Sequence, residues 1–233
     1  MTTPRFDIIG QALSDASRTR MLCELMEGRS FTNKELASAA GITAQTATAH
    51  LRMLQNAGLV LAEKRGRCVF HRLANSEVAG VLEQLAAIAP SSHLHLAQRR
   101  KAGDIAPLRS CYDHLAGPLA VAITGQVLDR GMLVEENGGF RVCGHETWQK
   151  LGVHPPQMPA SAQARQPFAR PCMDWTERKL HVAGPLGKQI LAHFFDQGWV
   201  TRNSHKRGLQ MTGVGARALE NILGLRCEEL TNA

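Results

Sequence analysis

The residues of this chain best equipped for chemistry occur twice, in the same order. Arg109, Cys111, Asp113 and His114 precede Gly117-Pro118-Leu119. Arg170, Cys172, Asp174 and His181 precede Gly184-Pro185-Leu186, with six extra residues between this Asp and this His. Thiolate, imidazole and carboxylate are the donors that zinc or a softer metal takes. A pseudo-twofold between the copies would bring Cys111 to Cys172, Asp113 to Asp174 and His114 to His181. A Cys111–Cys172 disulfide is the redox form of the same arrangement. Arg109 and Arg170, each two residues before its Cys, would favour the thiolate. The same residues also suit a packed interior, with Cys as a small apolar side chain and Arg paired to Asp. A small-molecule pocket between the copies is a further reading. No metal is firmly implied.

The elements that must carry these residues repeat as well. Each Gly-Pro-Leu opens an apolar helix. Each helix reaches a second glycine, at Gly131-Met132-Leu133-Val134 and at Gly198-Trp199-Val200, and then a hairpin, over Glu135–Val142 and Thr201–Leu209. The divisions expected are residues 1–90, a connector at 91–106, repeat A at 107–153, a Pro- and Ala-rich linker at 154–168, and repeat B at 169–233. His93 and His95 in the connector are spaced for opposite sides of a helix and read as solvated. Cys23 and Cys227 read as packing residues, Cys68 as a strand residue, and Cys143, which aligns with Thr212, as structural.

The first ninety residues carry different signals. Phe6 to Glu27 reads as one helix with an apolar stripe, interrupted at Ser14–Arg18 and ended by Gly28. Thr32 and Glu35 make a capping box. Leu36, Ala37 and Ala40 face inward, Gly41 gives a turn, Ile42 plugs beneath it, and Thr43 caps a helix running to about Asn56. Two helices across a short glycine turn make a helix-turn-helix. In the second, Ala47, Leu51 and Leu54 pack inward, leaving Gln45, Thr46, Thr48, Ala49 and Arg52 outward. Leu59–Glu63 and Cys68–Leu73 read as strands around a tip of Lys64-Arg65-Gly66-Arg67, whose three cations call for an anion such as phosphate. A helix from Asn75-Ser76 then carries Val78, Val81, Leu82, Leu85 and Ile88. This stripe is too long for so small a module; it fits a dimer interface, or else packing on the downstream half of the chain.

Residues 7–89 resemble the ArsR/SmtB family of bacterial repressors. The segments that carry the resemblance are Ala12–Arg18, Glu35-Leu36-Ala37, Thr46–Leu54, Ala57-Gly58-Leu59-Val60 and Gly66–Leu73. The resemblance implies a winged helix-turn-helix homodimer, joined through the first helix and the helix after the wing. Its recognition helices would lie one DNA turn apart, roughly 34 Å, on a palindromic operator. Repression relieved by an effector is implied too. On this reading Gln45, Thr46, Thr48 and Arg52 touch the major groove, Thr43 at the DNA-facing end caps their helix, and Lys64, Arg65 and Arg67 hold phosphate or the minor groove. Two metal sites known in the family are not carried over: Asn33–Ala37 has no Cys, and Ser76–Ala89 has no His.

The expected fold class is therefore mainly α with small β-hairpins (α+β), a winged helix-turn-helix followed by two degenerate winged-helix-like repeats. The 233 residues carry a formal charge of +7, which favours a polyanionic partner. Residues 1–89 hold ten Lys+Arg against eight Asp+Glu, so their cations matter by position rather than number. The amino terminus lacks the apolar core of a targeting segment, and no run approaches a membrane span, so a cytoplasmic protein without a membrane partner is expected. No nucleophile–base pair, phosphate loop or cofactor fingerprint is recognisable, and no enzyme is expected. The function expected is a homodimeric repressor of an operon, binding a double-stranded DNA operator. Its effector, a small molecule, a metal or a redox signal, would be sensed in the C-terminal half; the alternatives are a thiol- or metal-responsive sensor using Cys111 and Cys172, or an enzyme on the Cys/Asp/His repeat.

Overall fold

The computed structural model describes residues 3–90, 106–144, 146–156, 167–202 and 208–227. The connector residues His93 and His95, most of the 154–168 linker and the tip of the last hairpin lie outside them. The chain divides into two compact units, Met1–Leu82 and Glu83–Ala233.

In the first unit the expected single helix is two, α1 (Phe6–Leu13) and α2 (Ala16–Leu25). The break is chemical. Asp15 is extended, and its carboxylate accepts from the backbone N–H groups of Ser17 and Arg18, an N-cap that starts a new helix within the old apolar stripe. Arg18 then closes the end of α1. Its guanidinium donates to the carbonyls of Gln11 (2.7 Å) and Ala12 (2.8 Å), and reaches Nδ1 of His50 at 3.1 Å. A buried cation thus satisfies two orphan carbonyls at a helix C-terminus. Arg18→Met keeps the length and removes the donors. We expect it to destabilise this unit by about 2 kcal/mol, the usual worth of hydrogen bonds from a charged group less the saving in desolvation. A chemical denaturation midpoint unchanged by far-UV circular dichroism would contradict that role.

The short strand β1 (Phe31–Thr32) leads into α3 (Asn33–Ala40), and α4 (Ala44–Asn56) follows the turn. The capping box is complete: Thr32 Oγ1 accepts from the N–H of Glu35, whose carboxylate accepts from the N–H of Thr32. Gly41 sits at φ 70°, the left-handed conformation that ends α3. Ala47, Leu51 and Leu54 of α4 close over Met21, Leu22, Leu25 and Leu36, each of these almost fully buried. Strands β2 (Val60–Arg65) and β3 (Cys68–Leu73) pair from Val60↔Leu73 to Arg65↔Cys68, and β1 joins β3 through Phe31↔His71. Lys64 and Arg65 therefore belong to the strand, and the tip is only Gly66-Arg67. Helix α5 (Ser76–Ile88) begins where Asn75 Oδ1 accepts from the N–H of Val78, and its sequence crosses the boundary between the units.

The second unit repeats one plan. A hairpin, β4 (Arg109–Cys111) with β5 (His114–Ala116), leads to α6 (Pro118–Asp129) and a second hairpin, β6 (Leu133–Glu136) with β7 (Gly139–Val142). After α7 (Thr147–Lys150), the plan returns as β8 (Arg170–Met173), β9 (Leu180–Ala183), α8 (Gly184–Asp196), β10 (Val200–Arg202) and β11 (Leu209–Met211), closed by α9 (Gly213–Leu223). Asn137 and Gly138 both have positive φ, as a two-residue type I′ hairpin turn demands. The equivalence extends to single bonds. Cys143 N–H donates to Met132 O as Thr212 N–H donates to Trp199 O, both at 2.9 Å.

The two copies exchange partners: α6 packs on β9 and α8 packs on β5. Thr124 of α6 accepts from the N–H of Val182 at 3.0 Å, tying helix to hairpin. Ile123, Val127, Trp148, Leu186, Ile190 and Phe194 fill the interior between them. Each buried apolar side chain of this size contributes about 2 kcal/mol. This shared core holds the two first hairpins side by side.

Candidate nucleic-acid interface and candidate metal centre

The outward side of α4 offers two kinds of polar group. Thr43 Oγ1 accepts from the N–H of Thr46 and lies 2.9 Å from the Thr46 hydroxyl, while Thr48 donates to Ala44 O and accepts from Asn33 Nδ2 at 2.6 Å. These hydroxyls stand on the exposed face with their orientation fixed. Gln45 and Arg52 are exposed and have no hydrogen-bond or ionic partner among the described residues. Thr48 and Arg52 line an open groove together with Asn33 of α3 and Cys68, Val69 and His71 of the wing, so the helix and the hairpin border one surface.

The wing corrects one expectation. Its three cations do not all await an anion: Arg65 donates to Glu63 on the same strand at 2.8 Å, and its guanidinium lies 5.5 Å from the centre of the Phe70 ring. Lys64 and Arg67 remain exposed, with no partner among the described residues. Asn33 is an unexpected member of this surface through its bond to Thr48.

In the second unit, strand register does the work. Cys111 pairs with His114 across β4–β5, and Cys172 pairs with His181 across β8–β9. Directly opposed residues of an antiparallel ladder put their side chains on the same face. Each hairpin thus presents one thiol and one imidazole together, although one has a two-residue turn and the other a longer loop. The shared core brings these faces into contact. One donor atom from each of Cys111, His114, Cys172 and His181 lies within 4.8 Å of every other. The Nε2 atoms of His114 and His181 are 3.1 Å apart. Both cysteines are free thiols.

Asp113 and Asp174 are not among the four. Asp113 Oδ1 stands 3.5 Å from Nδ1 of His114, and Asp174 Oδ2 stands 3.9 Å from Nδ1 of His181, so each carboxylate lies behind an imidazole. Asp174 has a larger engagement. It accepts from Arg109 Nη2 at 2.8 and 3.0 Å, from the N–H groups of Gly117, Thr176 and Glu177, and from the Thr176 hydroxyl. Burial works against its charge, but the Arg109 guanidinium and these donors hold its pKa down to about 2.

The arginines do not activate the thiols as the sequence suggested. Arg109 is committed to Asp174, and Arg170 is exposed. Cys172 is nevertheless lowered, to about 3, because it accepts from the Cys111 thiol and, against burial, from both imidazoles. Cys111 is raised correspondingly by that hydrogen bond and by its own burial. Burial also opposes charge on His114, but Asp113 and Cys172 carry it up to about 9.

Glu83 is a member of this neighbourhood that sequence reading missed. Its Oε1 accepts from Cys111 Sγ at 3.4 Å and lies 3.9 Å from His114 Nε2, and burial pushes its pKa up to about 7. The available signal was an acid set among Val81, Leu82 and Leu85 on the apolar stretch of α5. From the same loop as Asp174, Arg178 donates to the carbonyls of Ala86 and Ala87 near the end of α5.

Comparison with known proteins bears on the family of the chain. A family model described as winged helix-turn-helix DNA-binding matches residues 14–60. The uncharacterised HTH-type transcriptional regulator YdfF of Bacillus subtilis is 38% identical over 226 residues, which is 96% of this chain and 99% of that one. Among solved structures, the cadmium metal-sensor CmtR of Mycobacterium tuberculosis is 34% identical, covering 37% of this chain and 92% of its own, with a TM-score of 0.32. The homodimeric winged helix-turn-helix domain of Mb0332 from Mycobacterium bovis is 25% identical, covering 41% of this chain and 81% of its own, with a TM-score of 0.33.

Proposed function

This chain belongs to the ArsR-type winged helix-turn-helix transcriptional regulators, and from that premise we propose that it is a homodimeric repressor whose C-terminal unit senses the effector. Its partner is a palindromic double-stranded operator. The observation that carries the DNA reading is the pair of unengaged side chains on α4, Gln45 and Arg52, beside a wing with two unengaged cations. Amide and guanidinium groups can each reach two atoms of one base edge, whereas the fixed hydroxyls of Thr43, Thr46 and Thr48 suit phosphate and positioning contacts. Lys64 and Arg67 hold the backbone, with Arg65 a weaker contributor because Glu63 already answers its charge.

The homodimer is supported by apolar side chains exposed on the two helices that the family uses for pairing. On α1, Phe6 is 77% exposed; on α5, Ile88 is 80% exposed, with Val81 and Leu85 also uncovered. A surface of this kind is better explained by a second copy than by solvent. The Cys/His cluster, in the unit that the winged helix does not need for its own core, supports sensing there.

The experiment is selection of operator sequences from a random duplex pool, followed by fluorescence anisotropy with Gln45→Ala. The variant is expected to lose about tenfold or more on the selected site, at 1–3 kcal/mol for a good base contact, and little on scrambled DNA. Equal losses on both duplexes would remove Gln45 from base reading.

A further inference from the structure

We propose that Cys111, His114, Cys172 and His181 form a four-donor site for one zinc-class divalent ion in the C-terminal unit. The reading of the chain as an effector-released repressor is the basis for giving this site a regulatory role; the site itself stands on its own geometry.

Four features converge. The donors are two thiols and two imidazoles, the set of closed tetrahedral zinc sites. Their spacing fits: bonds of about 2.0–2.3 Å at tetrahedral angles place donors about 3.3–3.8 Å apart. The two Nε2 atoms lie 3.1 Å apart and all four donors within 4.8 Å, so small side-chain movements complete the sphere. His114, Cys172 and His181 are buried, and two thiolates would neutralise the ion where water cannot. Finally, each imidazole turns Nε2 to the cluster and Nδ1 towards a carboxylate, Asp113 or Asp174. That is how outer carboxylates orient metal-binding histidines. His181 Nδ1 is buried with no hydrogen-bond partner among the described residues, and a small turn of the ring towards an ion at Nε2 would bring it nearer Asp174.

Binding moves no electrons. Both cysteines enter as thiolates and both imidazoles with a free Nε2 lone pair, so the protons on these Sγ and Nε2 atoms leave to solvent, while each imidazole keeps the Nδ1–H that faces its carboxylate. The Cys111 thiol hydrogen, which faces two acceptors, Cys172 Sγ and Glu83 Oε1 on α5 at 3.4 Å, is one of them. Loading the site therefore removes a donor that faces Glu83 on the helix that follows the wing. The hairpin that supplies Cys172 and His181 also supplies Arg178, which grips the end of that helix. The site is built to report its occupancy to α5.

The test uses the full chain, reduced with a phosphine and freed of metal. Cobalt(II) is titrated as a spectroscopic stand-in for zinc. One cobalt per chain is expected, with the intense visible bands of tetrahedral cobalt and a near-ultraviolet thiolate charge-transfer band. Cys111→Ser and Cys172→Ser should each weaken binding by 100-fold or more and lose charge-transfer intensity, while Cys143→Ser leaves the spectrum unchanged. Asp113→Asn, at a half-exposed position that should tolerate it, is expected to weaken binding about 10–100-fold. Zinc should raise the thermal midpoint of the wild type by several degrees, followed by tryptophan fluorescence, and not that of the Cys variants. Weak octahedral-type bands, or a full tetrahedral spectrum in Cys172→Ser, would overturn the site. Anisotropy on DNA selected by the chain separates the second question. A tenfold or larger change of affinity on adding zinc supports regulation through α5. Unchanged affinity with the cobalt spectrum intact overturns regulation and not the site. A chain that selects no DNA but shows the spectrum overturns the repressor reading alone.

Discussion

Asp174→Ala is expected to destabilise the C-terminal unit by about 4 kcal/mol, within the range for removing one partner of a buried ion pair. The Arg109 side chain is only 11% exposed and Asp174 is fully enclosed. Deleting the carboxylate leaves a guanidinium in the interior beside the Trp175 ring, and it also orphans the N–H groups of Gly117, Thr176 and Glu177. These groups belong to different places: Arg109 to β4, Gly117 to the entry of α6, and Thr176 and Glu177 to the β8–β9 loop. One carboxylate therefore fastens the first copy of the repeat to the second. Removing both charges in Arg109→Met/Asp174→Ala should recover part of the loss, because no ion is then stranded.

The protein offers a clean readout. All three tryptophans, Trp148, Trp175 and Trp199, lie in the C-terminal unit. Their fluorescence follows that unit in a denaturant titration, while far-UV circular dichroism follows both. The expected result is an early tryptophan transition with the winged helix still folded. A fluorescence midpoint that moves by less than about 1 kcal/mol equivalent, the scale of an exposed pair, would show that the bridge is structurally idle. The same carboxylate gives a pH signature. Its folded pKa is depressed from 3.8 to about 2, so its contribution is full above about pH 4 and is lost as the pH falls through 2.

The winged helix was legible because its signals are local. The capping box at Thr32–Glu35, the turn at Gly41 and the inward spacing of Ala47, Leu51 and Leu54 each depend on residues a few positions apart. The break at Asp15 was missed because the apolar stripe runs on through it, and a single side-chain cap overrides that periodicity. The repeat in the C-terminal half was legible as a repeat, and it matched Cys111 with Cys172 and His114 with His181, but gave no sign that each Cys faces its His across a hairpin. What it did not disclose was the division of labour between equivalent residues. Asp113 and Asp174 occupy matching positions, yet only Asp174 sits before a longer loop whose N–H groups fold back on it, and so only Asp174 captures Arg109. That choice follows from loop length and three-dimensional packing rather than from spacing. Glu83 was missed for a related reason: its charge among apolar neighbours on α5 is local, but nothing local indicates that a thiol of the β4–β5 hairpin will meet it.

The wing provides the second large effect, and one that bears on function. Lys64→Ala/Arg67→Ala removes two unengaged cations from each wing, and four from a dimer on its operator. If each holds one phosphate, the slope of log affinity against log salt becomes shallower by about 3.6, at roughly 0.9 per phosphate. Between 50 and 200 mM salt the wild type would then lose about 100-fold more affinity than the variant. The loss should be the same on selected and scrambled duplexes, because phosphates carry no sequence, in contrast to Gln45→Ala. Arg65→Ala should change the slope less than either single substitution, since its guanidinium already lies 2.8 Å from Glu63, and a contact to phosphate must first compete with that carboxylate. An unchanged slope in the double variant would move the wing off the DNA and leave the affinity to α4. A slope reduced by half the expected amount would place only one wing, or one cation of each, on the backbone. The measurement thus counts the contacts that a dimer should make in pairs, and tests the symmetry of the bound form as well as the chemistry of the tip.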